Sequence, residues 1–297
     1  MPALKELVFF NLLAAVAIPR QYDEMIEKMD VFLTGTGIPV IELDKQNFAE
    51  RIQEAIEENE INLGLVMTFP YKIPSSLYNL PVKGFYNIHP GPLPQYRGTD
   101  PVFRQLKNKE KHAGVAVHKL DDGINTGPVV MSEMLKIDTS DTYGLLTTKL
   151  ANLAAKQTGT LIKLLSFEIT VASRPQDETK AKYFKKKQAE DIMINWQKMD
   201  ADSVIALINA CNPWNKGAVA KINNQVIRFL EAEKLPENPF FQKEPGYILA
   251  MEENGITVST IHDETILVRI IYADEGFLHA YYLSRLGVLA GNRFDIN

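Results

Sequence analysis

The chain has 297 residues, 45% of them hydrophobic, with 32 basic against 37 acidic side chains and a formal net charge of −5. That length and apolar content suffice for two domains with cores of their own. The negative balance speaks against a surface built to grip a nucleic-acid backbone, and a lone cysteine, Cys211, excludes an internal disulfide and a thiolate zinc set.

The first apolar run, residues 7–18, follows Lys5 and Glu6, is interrupted by Asn11 and is closed by Pro19 and Arg20. It is too short to span a bilayer and no small-residue cleavage pattern follows it. A buried first strand in a cytoplasmic protein, with no membrane partner, is the expectation. Residues 21–32 read as a helix, and residues 38–43, entered through Gly35 and Gly37, as a short strand. Residues 47–59 place Phe48, Ile52, Ala55 and Ile56 on one helix face. Residues 62–69 form a second apolar strand, ended by Pro70. Such βαβ alternation predicts a parallel sheet covered by helices on both faces, with ligands bound beyond the carboxyl ends of its strands.

The richest stretch is residues 86–130, YNIHPGPLPQYRGTDPVFRQLKNKEKHAGVAVHKLDDGINTGPVV. Asn87 and His89 lie two residues apart, on one side of a strand end. A loop rich in Pro and Gly follows, then a short helix, then a strand that runs into Asp121-Asp122-Gly123 and Asn125. An amide and an imidazole projecting together into a loop-lined pocket suit chemistry on a carbonyl, since one donates to a developing oxyanion while the other handles a proton. His118, at the end of its strand, is assigned to packing or hydrogen bonding. Arg97 has two readings, an anchor for an anionic group or a pin for the loop. Cys211 is expected to be a buried apolar residue, and no metal-ligand spacing is present.

A long helix over residues 142–167 closes the first domain, a charged linker and helix follow over 171–204, and a helix over 200–210 leads into the last segment. There the texture changes to short apolar runs at 218–222, 226–232, 247–251, 256–261 and 266–272, separated by turn residues such as Asn223-Asn224 and Glu253-Asn254-Gly255. This pattern predicts a small antiparallel barrel, OB-like, or a sandwich. The expected organisation is therefore an α/β domain over 1–170, a linker over 171–204 and a small β domain over 205–297.

The Asn87-Ile88-His89 string, Leu93-Pro94 with Arg97-Gly98, His118 and Gly127-Pro128 resemble the folate-dependent formyltransferase family. That family holds methionyl-tRNA and sugar-nucleotide members. Gln176 to Tyr183, Trp196, Asn212-Pro213 and Gly217-Ala218 resemble the linker and C-terminal domain of its longer members, so the likeness runs over about residues 38–297. The resemblance implies a formyltransferase-like fold and transfer of a formyl group from 10-formyltetrahydrofolate to a primary amine. It implies Asn87, His89 and the residue at 125 as catalytic, and Phe69, Tyr71, Ile73, Asp121, Asp122, Gly123 and Ile124 as the cradle of the folate. Pro92, Tyr96 and Arg97 would face the acceptor.

Two departures stand out. The family's catalytic Asp is Asn125 here, and an amide has neither the charge nor the basicity of a carboxylate. If that Asp is the proton acceptor, its loss is expected to cost on the order of 10²–10⁴-fold. Three readings follow: an engineered inactive form, a natural member with altered chemistry, or a silent protein that binds folate or a nucleotide. The second departure is at the start, where about one βα unit is shortened or missing. The basic loop with which tRNA-acting members grip their substrate is absent from the sequence. A small amine, an amino-sugar nucleotide or an amino-acid derivative, is thus the expected acceptor, with a methionyl-tRNA formyltransferase-like activity as the alternative. A homodimer is compatible with the chain.

Overall fold

Two apolar side chains one helical turn apart decide the start of the chain. Ala3 and Leu7 are buried on one face of helix α1 (Pro2–Phe9), leaving Phe9 and Phe10 exposed. The expected first strand shrinks to β1 (Val16–Pro19), because the 3.6-residue period wins over the first part of that run. The computed structural model describes residues 2–236 and 244–296. Its contacts group into two compact units: residues 1–98, 114–135 and 149–183 in one, and residues 99–113, 136–148 and 184–297 in the other. The second unit thus takes in 99–113 and 136–148, which a boundary near residue 170 leaves in the first.

In the first unit, β1 pairs in parallel with β2 (Val40–Leu43). Helix α2 (Asp23–Leu33) lies between them in sequence and buries Ile26, Met29 and Leu33. Helix α3 (Phe48–Glu58) buries Ile52, Ala55 and Ile56, the face read from the sequence. A second sheet carries β3 (Gly64–Val66), β4 (Phe85–His89), β6 (His112–Lys119) and β7 (Val129–Lys136), in the order β3-β4-β6-β7. Short helix α4 (Ser75–Tyr78) connects β3 to β4. The pair β3–β4 is parallel but β4–β6 is antiparallel, so this sheet is mixed and not wholly parallel. That antiparallel step sets Asn87 directly opposite His118 and His89 opposite Ala116. Leu43, Ile52, Ile56, Ile73, Leu77 and Phe85 form the core beneath it. The long helix α6 (Tyr143–Ser166) contributes Leu150 and Leu161 to the buried interior. The very short strands β5 (Arg97–Gly98) and β8 (Tyr183–Phe184) sit in the loops that surround the site.

The second unit is built on helices α5 (Pro101–Lys107) and α7 (Ala201–Cys211) and on a six-stranded antiparallel sheet. Its strands are β9 (Ala218–Ile222), β10 (Gln225–Lys234), β11 (Ile248–Glu252), β12 (Gly255–Ser259), β13 (Thr265–Ala273) and β14 (Gly276–His279). The order is β11-β12-β13-β10-β9, with β14 on β13. Register shifts between Phe229 and Ala232 let β10 curve. Closure comes from the last described residues: Phe294 N–H donates to Gly246 O at 2.9 Å and Asp295 N–H to Lys221 O at 2.7 Å, joining the two edges into a barrel. Trp196 stacks on Phe294 inside it, with Phe229 edge-on to both. Cys211 is fully buried, and burial pushes its thiol up to about 12, so it is an inert apolar filler.

Candidate active site

Everything at the site belongs to the first unit. Alternation along β4 puts Asn87 and His89 on one face, and the antiparallel register brings His118 onto the same face. The Nδ2 of Asn87 lies 3.1 Å from His118 Nε2, and the Nδ2 of Asn125 lies 3.5 Å from the same nitrogen. Protons can be assigned by elimination. His118 Nδ1 is 2.8 Å from the carbonyl oxygen of Lys119, which can only accept, so Nδ1 carries the hydrogen. In a neutral ring Nε2 then offers a lone pair, and both amides point their NH₂ groups at it. The other end of Asn125 is fixed independently, since its Oδ1 accepts from Gly98 N–H at 3.0 Å. Two of these three residues sit in unusual places. Asn125 adopts the left-handed region, φ 58°, which Asn and Asp tolerate better than most side chains. His118 is almost wholly buried, which lowers its proton affinity, an effect opposed by its bond to the Lys119 carbonyl.

His89 is also buried, and its Nε2 donates to the Tyr96 carbonyl at 2.6 Å. Desolvation pulls its pKa down to about 4, with His118 adding repulsion. The ring is therefore neutral at pH 7, with its lone pair on Nδ1, and its one N–H is spent on the loop. Of the expected proton-handling role of His89, the N–H is thus taken by the Tyr96 carbonyl and only the Nδ1 lone pair is left.

The loop residues expected to face an acceptor divide. Pro92 is half-buried and accepts from Tyr96 N–H at 2.9 Å. The Tyr96 side chain is buried, and its backbone holds His89. Arg97 is fully buried and grips both carboxylate oxygens of Glu178, with further bonds to Gln176 Oε1 at 3.0 Å and Tyr183 Oη at 2.6 Å. Of its two readings this is the loop pin: the guanidinium is committed to protein groups. Gln176 carries the connection onward, donating to the carbonyls of Asn125 and Gly127 at 2.9 and 2.7 Å. Gln176 thereby holds Asn125 and Gly127 from 51 and 49 residues away in sequence and Glu178 holds Arg97 from 81, roles that no local spacing around them announces.

The residues expected to cradle folate also divide by burial. Phe69 and Tyr71 are half-buried and pack on Phe48, edge-on and tilted. Ile73 is in the core, so only its backbone is left for a ligand. Leu120 packs on that same core, which brings the turn at 69–73 and the start of the 121–124 loop to one place. Asp121 closes the loop on itself, accepting from Gly123 N–H at 3.0 Å and Thr126 Oγ1 at 2.6 Å, and Asp122 accepts from Tyr78 Oη at 3.1 Å. Both carboxylates are thus engaged in holding the loop. Ile124 stands exposed at its tip. Half-exposed aromatic rings beside a rigid loop with an apolar tip fit a flat heterocycle such as a pteridine. No cluster of metal-ligating side chains exists among the described residues, and no described helix is long and apolar enough to cross a membrane.

This arrangement of a neutral amide–imidazole site at a strand end of a mixed sheet, followed by a small β barrel, defines a class, and comparison with known proteins gives it a name. Residues 30–161 match the formyl transferase model and residues 186–276 the model of the formyl transferase C-terminal domain. The methionyl-tRNA formyltransferase of Kosmotoga olearia is 30% identical over 225 residues, covering 75% of this chain and 70% of that protein. The chain belongs to the formyltransferase family, and is a transferase by that membership. Among solved structures, the N-formyltransferase of Helicobacter canadensis, in complex with folinic acid and dTDP-3-aminofucose, superposes with a TM-score of 0.59 at 17% identity, covering 86% of this chain and 98% of that one. HypX of Aquifex aeolicus in complex with tetrahydrofolic acid gives 0.60 at 18% identity over 94% of this chain. This chain spans about half of HypX, 48% of its length. At such identities these two structures bear on the fold alone.

Proposed function

We infer that this chain transfers a formyl group from 10-formyltetrahydrofolate to the primary amine of a small molecule, an amino-sugar nucleotide or an amino-acid derivative, with chemistry altered at Asn125. One observation carries the reading: Asn87 presents an NH₂ group whose orientation is held by His118 at a strand end. One of its hydrogens serves that bond and the second is left for the oxygen of a formyl group, where negative charge develops on attack. His89 shapes the pocket through the Tyr96 carbonyl and stays neutral. Phe69 and Tyr71 would hold the donor's ring against the 121–124 loop, and Pro92 would line the acceptor side. The bound donor supplies the activated formyl carbon; the chain orients it and excludes water. Solved relatives in complex with folates and an amino-sugar nucleotide support the choice of donor and acceptor class.

A second reading, methionyl-tRNA as acceptor, has its own support in the methionyl-tRNA formyltransferase of Kosmotoga olearia and in the match to a C-terminal formyltransferase domain. Turnover of 10-formyltetrahydrofolate, followed by absorbance with a panel of amino-sugar nucleotides, amino acids and charged initiator tRNA, tests both. The first reading expects a small amine to drive it. Turnover with the tRNA alone favours the second, and a chain that neither turns over nor binds folate in either the parent or the Asn125→Asp form is a silent homologue.

A further inference from the structure

Asn125 leaves an unanswered requirement. When an amine attacks a formyl carbon, the nitrogen acquires positive charge and must lose a proton before the intermediate can collapse forward. The side chain at 125 cannot take it, because an amide is not basic at neutral pH. Asp121 and Asp122, the nearest carboxylates in sequence, are engaged with Gly123, Thr126 and Tyr78. Burial pulls the pKa of His89 down to about 4, which leaves its free Nδ1 lone pair a weak base.

We propose that His118 is the proton acceptor of this site, through the Nε2 lone pair on which Asn87 and Asn125 converge. The assignment rests on the reading of the chain as a formyltransferase. Three bonds set it up. The Lys119 carbonyl holds the hydrogen on Nδ1, 2.8 Å away. The Asn87 amide, which faces the formyl oxygen, is within 3.1 Å of Nε2. The Asn125 amide, itself pinned by Gly98 N–H, lies at 3.5 Å, a contact loose enough to yield. A carboxylate at 125 would instead set an acceptor against that lone pair. The amide at 125 and the tautomer of His118 are thus matched to one another.

The step balances as follows. The amine nitrogen forms a bond to the formyl carbon, and the carbonyl π pair moves to oxygen, facing Asn87. The proton released by nitrogen passes to His118 Nε2, directly or through one water, and as Nε2 gains it both amides give up that nitrogen, Asn87 turning its NH₂ group wholly to the oxyanion. The bond between carbon and the donor nitrogen then breaks with its electron pair on that nitrogen, which takes the proton back from His118. Products are the formamide and tetrahydrofolate, with no net proton. Burial lowers the proton affinity of the His118 ring and its bond to the Lys119 carbonyl opposes that; of the charged and titratable groups that bear on the ring, His89, Asp121 and Arg97, Asp121 favours protonation and Arg97 opposes it.

The test combines kinetics with a spectroscopic reading of the ring. In the parent chain, ¹⁵N-edited NMR should find His118 protonated on Nδ1 and bare on Nε2; the opposite tautomer overturns the proposal without any variant. His118→Asn should retain folate binding yet lose kcat on the order of 10²–10⁴-fold, together with the acid limb of the pH profile. Adding Asn125→Asp to that variant should restore a large part of the rate, because a carboxylate can then take the proton. A His118→Asn protein within tenfold of the parent, with the same pH profile, overturns it, as does a parent that binds folate and is silent with every amine while Asn125→Asp alone turns over. A parent that binds no folate sinks the formyltransferase reading itself. Should His118→Asn fail to fold, His118→Gln and the NMR assignment carry the same decision.

Discussion

The side chain at 125 controls the site through one hydrogen. As Asn it donates toward His118 Nε2 while its other end accepts from Gly98; as Asp it would still accept from Gly98 but would face the lone pair with a second acceptor. A proton bound between them resolves the conflict. Asn125→Asp is therefore expected to fold as the parent does, since both residues tolerate a left-handed backbone, and to raise the His118 pKa, because a carboxylate favours the charged ring. An NMR titration of His118 in both proteins reads this directly, and an unchanged pKa would contradict it. His89 makes a separate prediction. Its folded pKa of about 4 lies below the ordinary imidazole value of 6.5, so between these values the unfolded chain takes up a proton that the folded one refuses. Stability is unaffected above that window and falls as pH drops through it, by about 2 kcal/mol from pH 7 to pH 5 for this residue alone. His118 acts in the same direction. Urea unfolding at the two pH values should show the loss in the parent and a smaller loss in His89→Gln; equal losses would mean that His89 is not the source.

At the scale of elements, the antiparallel entry of β6 beside β4 places His118 opposite Asn87, and Gly127 keeps the following loop in reach. A Cβ on Gly127 would fall 1.8 Å from the Lys119 carbonyl oxygen, the group that sets the His118 tautomer. Gly127→Ala should therefore cost on the order of 1–3 kcal/mol and disturb the His118 ring, seen as a lower urea midpoint together with a shifted Nδ1–H resonance. A parent-like midpoint and spectrum would mean that the loop has slack.

How far the sequence reached can be judged element by element. Amphipathic α3 is legible because its burial follows one period, and the barrel strand β9 because it is a short apolar run set off by the Asn223-Asn224 turn. The opening run keeps its expected strand only at its end, over β1, because Ala3 and Leu7 lie one turn apart and draw the first part into a helix. Asn87 and His89 were legible from local spacing. His118 was seen only as a strand end, because its importance comes from cross-strand register. Arg97 was ambiguous until its partners, Gln176, Glu178 and Tyr183, came together from about 80 residues downstream. The side chain of Ile73, expected beside the folate, is spent on the core, and only three-dimensional packing reveals that.

For the molecule as a whole, the acidic balance, the two matched formyltransferase domains and the neutral site have to be reconciled with an acceptor. A net charge of −5 gives no general attraction to a polyanion, and for that reason a small amine leads. The proposed activity is formyl transfer with an amide at 125 where the resemblance implies a carboxylate. The most direct test is absorbance-monitored conversion of 10-formyltetrahydrofolate to tetrahydrofolate by the chain as it stands, across the amine panel. The account predicts turnover with at least one small amine. Silence with every amine and with tRNA, from a protein shown to be folded, would contradict it.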